Sequence, residues 1–339
     1  MILCLSIASI PPHFEVQIKA ELNTNGLGIP IIANHNVVNY VRLDMIPDEN
    51  ITSAKNSLHV AYGHTSHGSQ ITDGMTGLPA YKESLGCTIG LYDWNEGGTD
   101  GALDIDDYFA PGDLGNPDFS AWASYTEDYL EDVANIDVNV VMWSWCGEVS
   151  YATESDINLY LSLMSQLEID YPTVHFVYMT GHTDGLGLDG NLHIRNEQIR
   201  DYCVENNKIL YDFADIESYD PDMNYYGDKN CTDNCDYDSN DDNILDANWA
   251  IDWQNDHPDE WYSCGSAHSQ PLNANMKAYA AWWLWATLSG WNTTEIPSPT
   301  TTWTPNPTPS NTANFAGIIL LTISLTFVLS AIRIIKRRK

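Results

Sequence analysis

Between residues 58 and 213 short apolar runs alternate with longer amphipathic ones, and this alternation limits the chain to few folds. Leu58–Tyr62 (LHVAY), Thr88–Tyr92, Val138–Trp143 (VNVVMW), Val174–Met179 (VHFVYM) and Ile209–Phe213 read as strands. The third and fourth are apolar at nearly every position, as a strand covered on both faces must be. Helical stretches lie at 70–85, with Gly74, Gly77 and Pro79 as interruptions, and at Asp118–Asn135, Glu154–Asp170 and Asn191–Asn206. In Glu154–Asp170, Leu159, Leu163 and Leu167 share one face. Strands alternating with helices of this length build a parallel sheet with helices on both sides. The expected fold class is therefore α/β, a three-layer α/β/α domain with about five parallel strands. A strongly apolar helix, Leu272–Leu288, closes it.

Charge excludes one class of partner and points to another. With 47 acidic and 14 basic residues the net charge is −33, so nucleic acid is not expected, because its phosphates need a basic face. Five of the basic residues lie at 333–339, directly after Phe315–Ile332, an uncharged apolar run long enough to cross a bilayer. A basic flank marks the cytoplasmic side. Residues 292–314 are rich in Pro, Thr, Ser and Asn and read as an extended stalk. The expected order is a leader and N-terminal extension (1–57), an α/β domain (58–291) with an acidic insertion at 217–267, the stalk (292–314), a transmembrane helix (315–335) and a basic cytoplasmic tail (336–339). The domain would be extracellular and the protein single-pass in the cell membrane. The apolar start MILCLSIASI reads as the remnant of an export signal, and sequons at Asn50, Asn230 and Asn292 agree with an exterior location.

The insertion holds the core CTDNCDYDSNDDNILDANW. Asp236, Asp238, Asn240 and Asp242 alternate as calcium-loop ligands do, and acids this dense repel one another without a cation. It is no EF-hand, since Asp241 and Ala247 stand where that loop needs Gly and Glu. A structural calcium ion is expected there, with a Cys231–Cys235 bridge stiffening the loop. Trp249, Trp253 and Trp261 can pack the loop onto the domain or stack against sugars. The other cysteines, Cys146 among them, read as buried thiols or loop positions. No organic cofactor is expected.

Ligands of such sheets bind beyond the C-terminal strand ends. Those ends carry Gly63-His64-Thr65-Ser66-His67-Gly68, Asn95-Glu96-Gly97-Gly98, Ser144-Trp145-Cys146-Gly147-Glu148 and Thr180-Gly181-His182-Thr183-Asp184-Gly185, and Ser266-Ala267-His268-Ser269 precedes the last helix. A Ser on a tight strand-to-helix turn, near a helix N-terminus and with a His in reach, is the pattern for acyl transfer. Ser66 is the candidate nucleophile and His268 the candidate base. Gly98 and Gly147 can bring backbone N–H groups to an oxyanion.

In layout, residues 58–289 resemble the SGNH (GDSL-like) hydrolase superfamily. VAYGHTSHG is similar to its nucleophile block, NEGG to its glycine block, WCGE to its Gly-x-Asn-Asp block and CGSAHSQPLNA to its histidine block. The resemblance implies a flavodoxin-like sheet, Ser66 and His268 as nucleophile and base, and Gly98 and Gly147 in the oxyanion hole. Two positions depart from the family. No Asn follows Gly147, so His182 or His64 would replace that donor. Gly265 stands where the family has the Asp that orients the His, so Glu148 or Asp184 would serve instead.

The leading expectation is a membrane-anchored extracellular serine esterase, acting on an ester such as an acetylated surface glycan. One alternative is a non-catalytic, calcium-stabilised surface protein that binds a glycan or a protein partner. The other is a metal-dependent enzyme using His64, His67 and His182, with Asp184 as a further ligand.

Overall fold

A computed structural model describes residues 28–39 and 43–292. The stalk, the apolar run at 315–335, the basic tail and the leader fall outside the described residues. Among the described residues no helix is long and apolar enough to cross a membrane.

Seven parallel strands form one sheet. In chain order they are β1 (Ile31–Ala33), β2 (His59–Gly63), β3 (Trp94–Asn95), β4 (Leu103–Asp107), β5 (Val140–Trp143), β6 (His175–Met179) and β7 (Ile209–Tyr211), and across the sheet they run β1-β7-β6-β5-β2-β4-β3. The five-strand expectation undercounts. β1 pairs with β7, so the sheet begins inside the segment read as an N-terminal extension. Thr88–Tyr92 forms turns, not a strand. The strand beside β2 is β4, whose acidic sequence LDIDD hid it: only Leu103 and Ile105 are buried.

The helices are α1 (His35–Asn39), α2 (Asp48–Ser57), α3 (Ser69–Ser84), α4 (Ala121–Glu131), α5 (Glu154–Asp170), α6 (Asn191–Glu205), α7 (Phe213–Glu217), α8 (Trp249–Asp256) and α9 (Pro271–Leu288). α9 packs on α3, α1, α2 and α7, while α5 packs on α4 and α6. These two helical layers sandwich β2, β5 and β6, whose residues are buried nearly throughout. The buried face of α5 is Ile157, Tyr160, Leu161, Met164 and Leu167. Of the row Leu159, Leu163 and Leu167, Leu167 is buried, Leu163 packs against the core from its edge and Leu159 is exposed.

α3 runs unbroken through Gly74, Gly77 and Pro79. Gly74 lies flush against α9, where a Cβ would strike the Ala274 carbonyl and the Ala278 side chain. The apparent helix breaker is thus a contact surface. α9 is the most buried helix, with Trp282, Leu284 and Trp285 at 1 % exposure or less. Its polar members Asn273, Asn275 and Lys277 are also fully buried. Burial at that depth demands partners, and they lead to the site.

Candidate active site

The strand order reverses between β2 and β5. From β2 the chain passes outward to β4, then returns to lay β5, β6 and β7 on the other side. In doubly wound sheets the crevice at this reversal is where ligands bind. The loop after β2 carries Ser66 and His67, and the loop after β5 carries Cys146. Gly68 permits their close approach: a Cβ there would overlap His64 Cβ and come within 2.8 Å of Ser144 Cβ and the Tyr62 hydroxyl.

Ser66 is exposed at the start of α3, where the positive end of the helix faces it. His268 Nε2 lies 3.0 Å from Ser66 Oγ, so nucleophile and base meet although 202 residues separate them. His268 adopts φ +63°, a left-handed backbone that costs energy in a non-glycine residue. Its loop is tied down on several sides. Gln70 donates to the Ala267 carbonyl at 2.5 Å, Ser266 to the Gln270 carbonyl at 2.9 Å, and Asn273 to Ser269 Oγ at 2.7 Å.

Three imidazoles form a stack. The His67 ring lies 3.7 Å from that of His182 at an interplanar angle of 4°, and 4.4 Å from that of His268 at 17°. His67 Nε2 meets Asp233 Oδ2 at 3.0 Å, and His67 Nδ1 meets Cys146 Sγ at 3.5 Å. Cys146 Sγ is itself 4.0 Å from Ser66 Oγ. Burial lowers the His67 pKa, aided by its His182 and His268 neighbours, against the pull of Asp233. Burial would raise the Asp233 carboxyl, but the His67 hydrogen bond and the nearby imidazoles hold it below its ordinary value. Burial raises the Cys146 thiol. The consistent state is a neutral His67 that donates Nε2–H to an ionised Asp233 and offers Nδ1 to a protonated Cys146.

The insertion delivers Asp233. Asp184 and Thr232 form a β-bridge, Gly185 N–H donates to the Cys231 carbonyl at 3.1 Å, and Gln270 donates to Asn234 Oδ1 at 2.8 Å. The insertion is therefore laced to the β6 loop on one side and to the His268 loop on the other. Neither Asp233 nor Cys146 was singled out as a site residue from the sequence. One signal was legible, that Cys146 ends a buried strand in the same manner as Ser66. Nothing in the order of an acidic loop marks which acid will reach a histidine.

Several expected site residues are placed elsewhere. Gly98 packs against Asp104, which is level with His59 at the opening residue of β2, so Gly98 does not reach the rim where Ser66 sits. Gly147 is beside Cys146, and its N–H is bonded to the Glu148 carboxylate. The N–H groups of Cys146, Gly147 and Glu148 surround the Glu148 carboxylate, Cys146 N at 3.1 Å. Burial raises the Glu148 carboxyl, and those N–H bonds oppose the rise. Glu148 is thus held in its own loop and does not orient His268. Asp184 accepts from Ser150 Oγ at 2.8 Å and Leu186 N at 3.1 Å, and acts as a loop staple. His64 engages Asp107 at 2.8 Å through Nε2 and the Thr65 carbonyl at 2.8 Å through Nδ1. Both nitrogens are engaged, and among the described residues His64 is in no convergent group of metal-ligating side chains. His182 Nδ1 is bound to the Thr183 carbonyl at 2.9 Å, and its ring face, not its nitrogen, meets His67.

A different group does converge. Ligating atoms of His67, Asp233 and His268 lie within 4.8 Å of one another. At Gly265 a Cβ would come within 2.8 Å of the Asp73 carboxylate, which would have to shift to admit a side chain.

The other expected ligand set is arranged around hydrogen bonds. Asp238 accepts from the N–H groups of Asn240, Asp242 and Asn243, and Asp236 accepts from the side chains of Asn234 and Asn248. Asn240 and Asp242 accept from Asp242 N and Ile244 N. Cys231 and Cys235 are separate buried thiols, not a bridge; Cys231 faces the Glu217 carbonyl and Cys235 the Ser269 hydroxyl. Trp249 and Trp253 are buried, so they pack the insertion and present no sugar-stacking face. A cleft of about 360 Å³ lined by Tyr81, Leu85, Trp253 and Tyr279 lies at the far end of α3 from Ser66.

Against this geometry, comparison with known proteins adds no relative: no family model matches the chain, and neither a curated protein nor a solved structure matches it.

Proposed function

We propose that this chain is a hydrolase that cleaves an ester through Ser66, with His268 as its general base. The observation that carries the reading is the 3.0 Å contact between His268 Nε2 and Ser66 Oγ at the reversal of the strand order. The hydroxyl donates to Nε2. As Oγ attacks the acyl carbon its proton passes to His268, which returns it to the departing alcohol; water then releases the acyl group by the reverse path. The stack on His67 fixes the plane of the His268 ring. An acetyl ester on a surface glycan suits the open position of Ser66, and the apolar run at 315–335 would hold the domain at the outer face of a membrane.

The test is ester hydrolysis by the full chain in detergent, on p-nitrophenyl acetate and on an acetylated oligosaccharide. Ser66→Ala and His268→Ala should each lower the rate by about 10²–10⁴-fold. Equal rates in wild type and Ser66→Ala would overturn the reading.

A second reading is favoured by the convergence of His67, Asp233 and His268. Two His and one carboxylate can hold zinc with a position left open for water. In that case elemental analysis of the full chain finds stoichiometric metal, and a chelator abolishes hydrolysis while Ser66→Ala does not.

A further inference from the structure

The orienting carboxylate of this site does not serve the serine. Asp233 is bonded to His67, and the other nitrogen of His67 is bonded to a sulfur. We propose that Cys146 is a second nucleophile, with His67 as its base and Asp233 holding that base in place, and that it takes up an acyl group as a thioester. This shares the rim and the ring of His67 with the Ser66 reading but neither its nucleophile nor its base, so either can fail alone.

Three separate chain segments supply the parts. Cys146 follows β5, His67 follows β2 and Asp233 comes from the insertion. Nucleophile to base is 3.5 Å, the length of an S–H···N contact, and base to carboxylate is 3.0 Å. This is the geometry that nucleophile, base and orienter need. Cys146 is half-buried and sits at the same crevice as Ser66, so a carbonyl that reaches one reaches the other. Asp233 fixes the tautomer: with Nε2–H donated to the carboxylate, Nδ1 keeps its lone pair for the thiol proton.

The step balances. Sulfur attacks the acyl carbon and a C–S bond forms, while the thiol proton passes to His67 Nδ1. The bond from that carbon to the leaving oxygen breaks, and the alkoxide takes the proton from Nδ1. Water then attacks the thioester, giving up a proton to Nδ1. The C–S bond breaks, the carboxylic acid leaves, and the sulfur regains its proton. No oxidant or further reactant enters.

The full chain carrying Ser66→Ala is treated with p-nitrophenyl acetate and followed by intact mass and peptide mapping. One acetyl should appear on Cys146 and be removed by neutral hydroxylamine, which cleaves thioesters and spares alkyl esters. Cys87 and Cys264, half-buried thiols elsewhere in the chain, are the internal comparison. Adding His67→Ala or His67→Gln should slow the labelling of Cys146 by about 10²-fold, with Cys87 and Cys264 unchanged. Asp233→Asn should slow it as well, with Cys87 and Cys264 again unchanged. Thermal melting identifies any variant that fails to fold, and the Gln and Asn variants, close in shape to the originals, keep the comparison valid. Labelling of Cys146 no faster than that of Cys87 and Cys264, or unchanged by both His67 substitutions, overturns the proposal. In Cys146→Ala, an acetyl on Ser66 reports on the serine reading separately.

Discussion

Gly68 sets how closely the two nucleophile loops approach. A methyl group there would press on His64 Cβ in the same turn, on the Tyr62 hydroxyl from β2 and on Ser144 Cβ, which leads into the Cys146 loop after β5. Gly68→Ala should destabilise the fold by about 1–3 kcal/mol, read as a lower urea midpoint. It should also lower ester turnover more than stability alone explains, because the turn moves with the helix start. At this scale the sequence was half legible. That Ser66 and His268 lie together could be read because each stands in a short polar segment at a strand or helix boundary. The roles given to Gly98, Gly147, Glu148 and Asp184 could not, since side chains and N–H groups of a loop have nearer partners than a distant substrate. Glu148 illustrates this: its carboxylate is captured by the backbone of its own turn.

At the scale of elements, α9 and α3 hold the site through a polar core. Lys277 on α9 is fully buried and donates to Glu217 at 2.6 Å and to Gln70. Burial lowers its ammonium pKa, and Glu217 opposes that shift. Glu217 also accepts from Thr183 N–H at 2.8 Å, beside His182, while Gln70 donates to the loop of His268. One buried pair thus supports the β6 loop, the start of α3 and the His268 loop together. Removing one member of such a pair leaves an uncompensated buried charge and costs about 3–5 kcal/mol. Lys277→Met and Glu217→Gln should each lose that much in chemical denaturation. The double variant should lose less than the two single losses combined and still show weakened ester turnover. The main apolar strands and helices were legible from periodicity because burial on both faces leaves a continuous apolar run. β4 was missed for the opposite reason: it lies toward the sheet edge, and its alternate residues are partly exposed acids.

The acidity of the whole molecule is distributed with some structure. At the N-terminal end of β2, His59 is enclosed by Asp104, Asp106 and Asp137, with Tyr129 donating to Asp106. Burial lowers the His59 pKa, but hydrogen bonding to Asp106 and the charges of Asp104, Asp106 and Asp137 outweigh it, and the net shift is upward. A raised histidine value means that the charged form is favoured in the fold. That stability is fully present below the ordinary imidazole value of about 6.5 and is lost as pH rises through the raised value. His59→Gln should therefore cost more stability at pH 5.5 than at pH 8.5 by urea denaturation, and a gap that widens with pH would contradict this. Among the described elements the last one, α9, packs against α3, α1, α2 and α7, and it begins three residues after His268. That has a consequence in time. During synthesis β2 and β5 emerge long before α9, so α3 lacks its largest packing partner, and neither the Ser66–His268 contact nor the buried Lys277–Glu217 pair can form. The proposed site is therefore assembled only after α9 has left the ribosome, and until then the apolar residues that α9 packs against are exposed to aggregation.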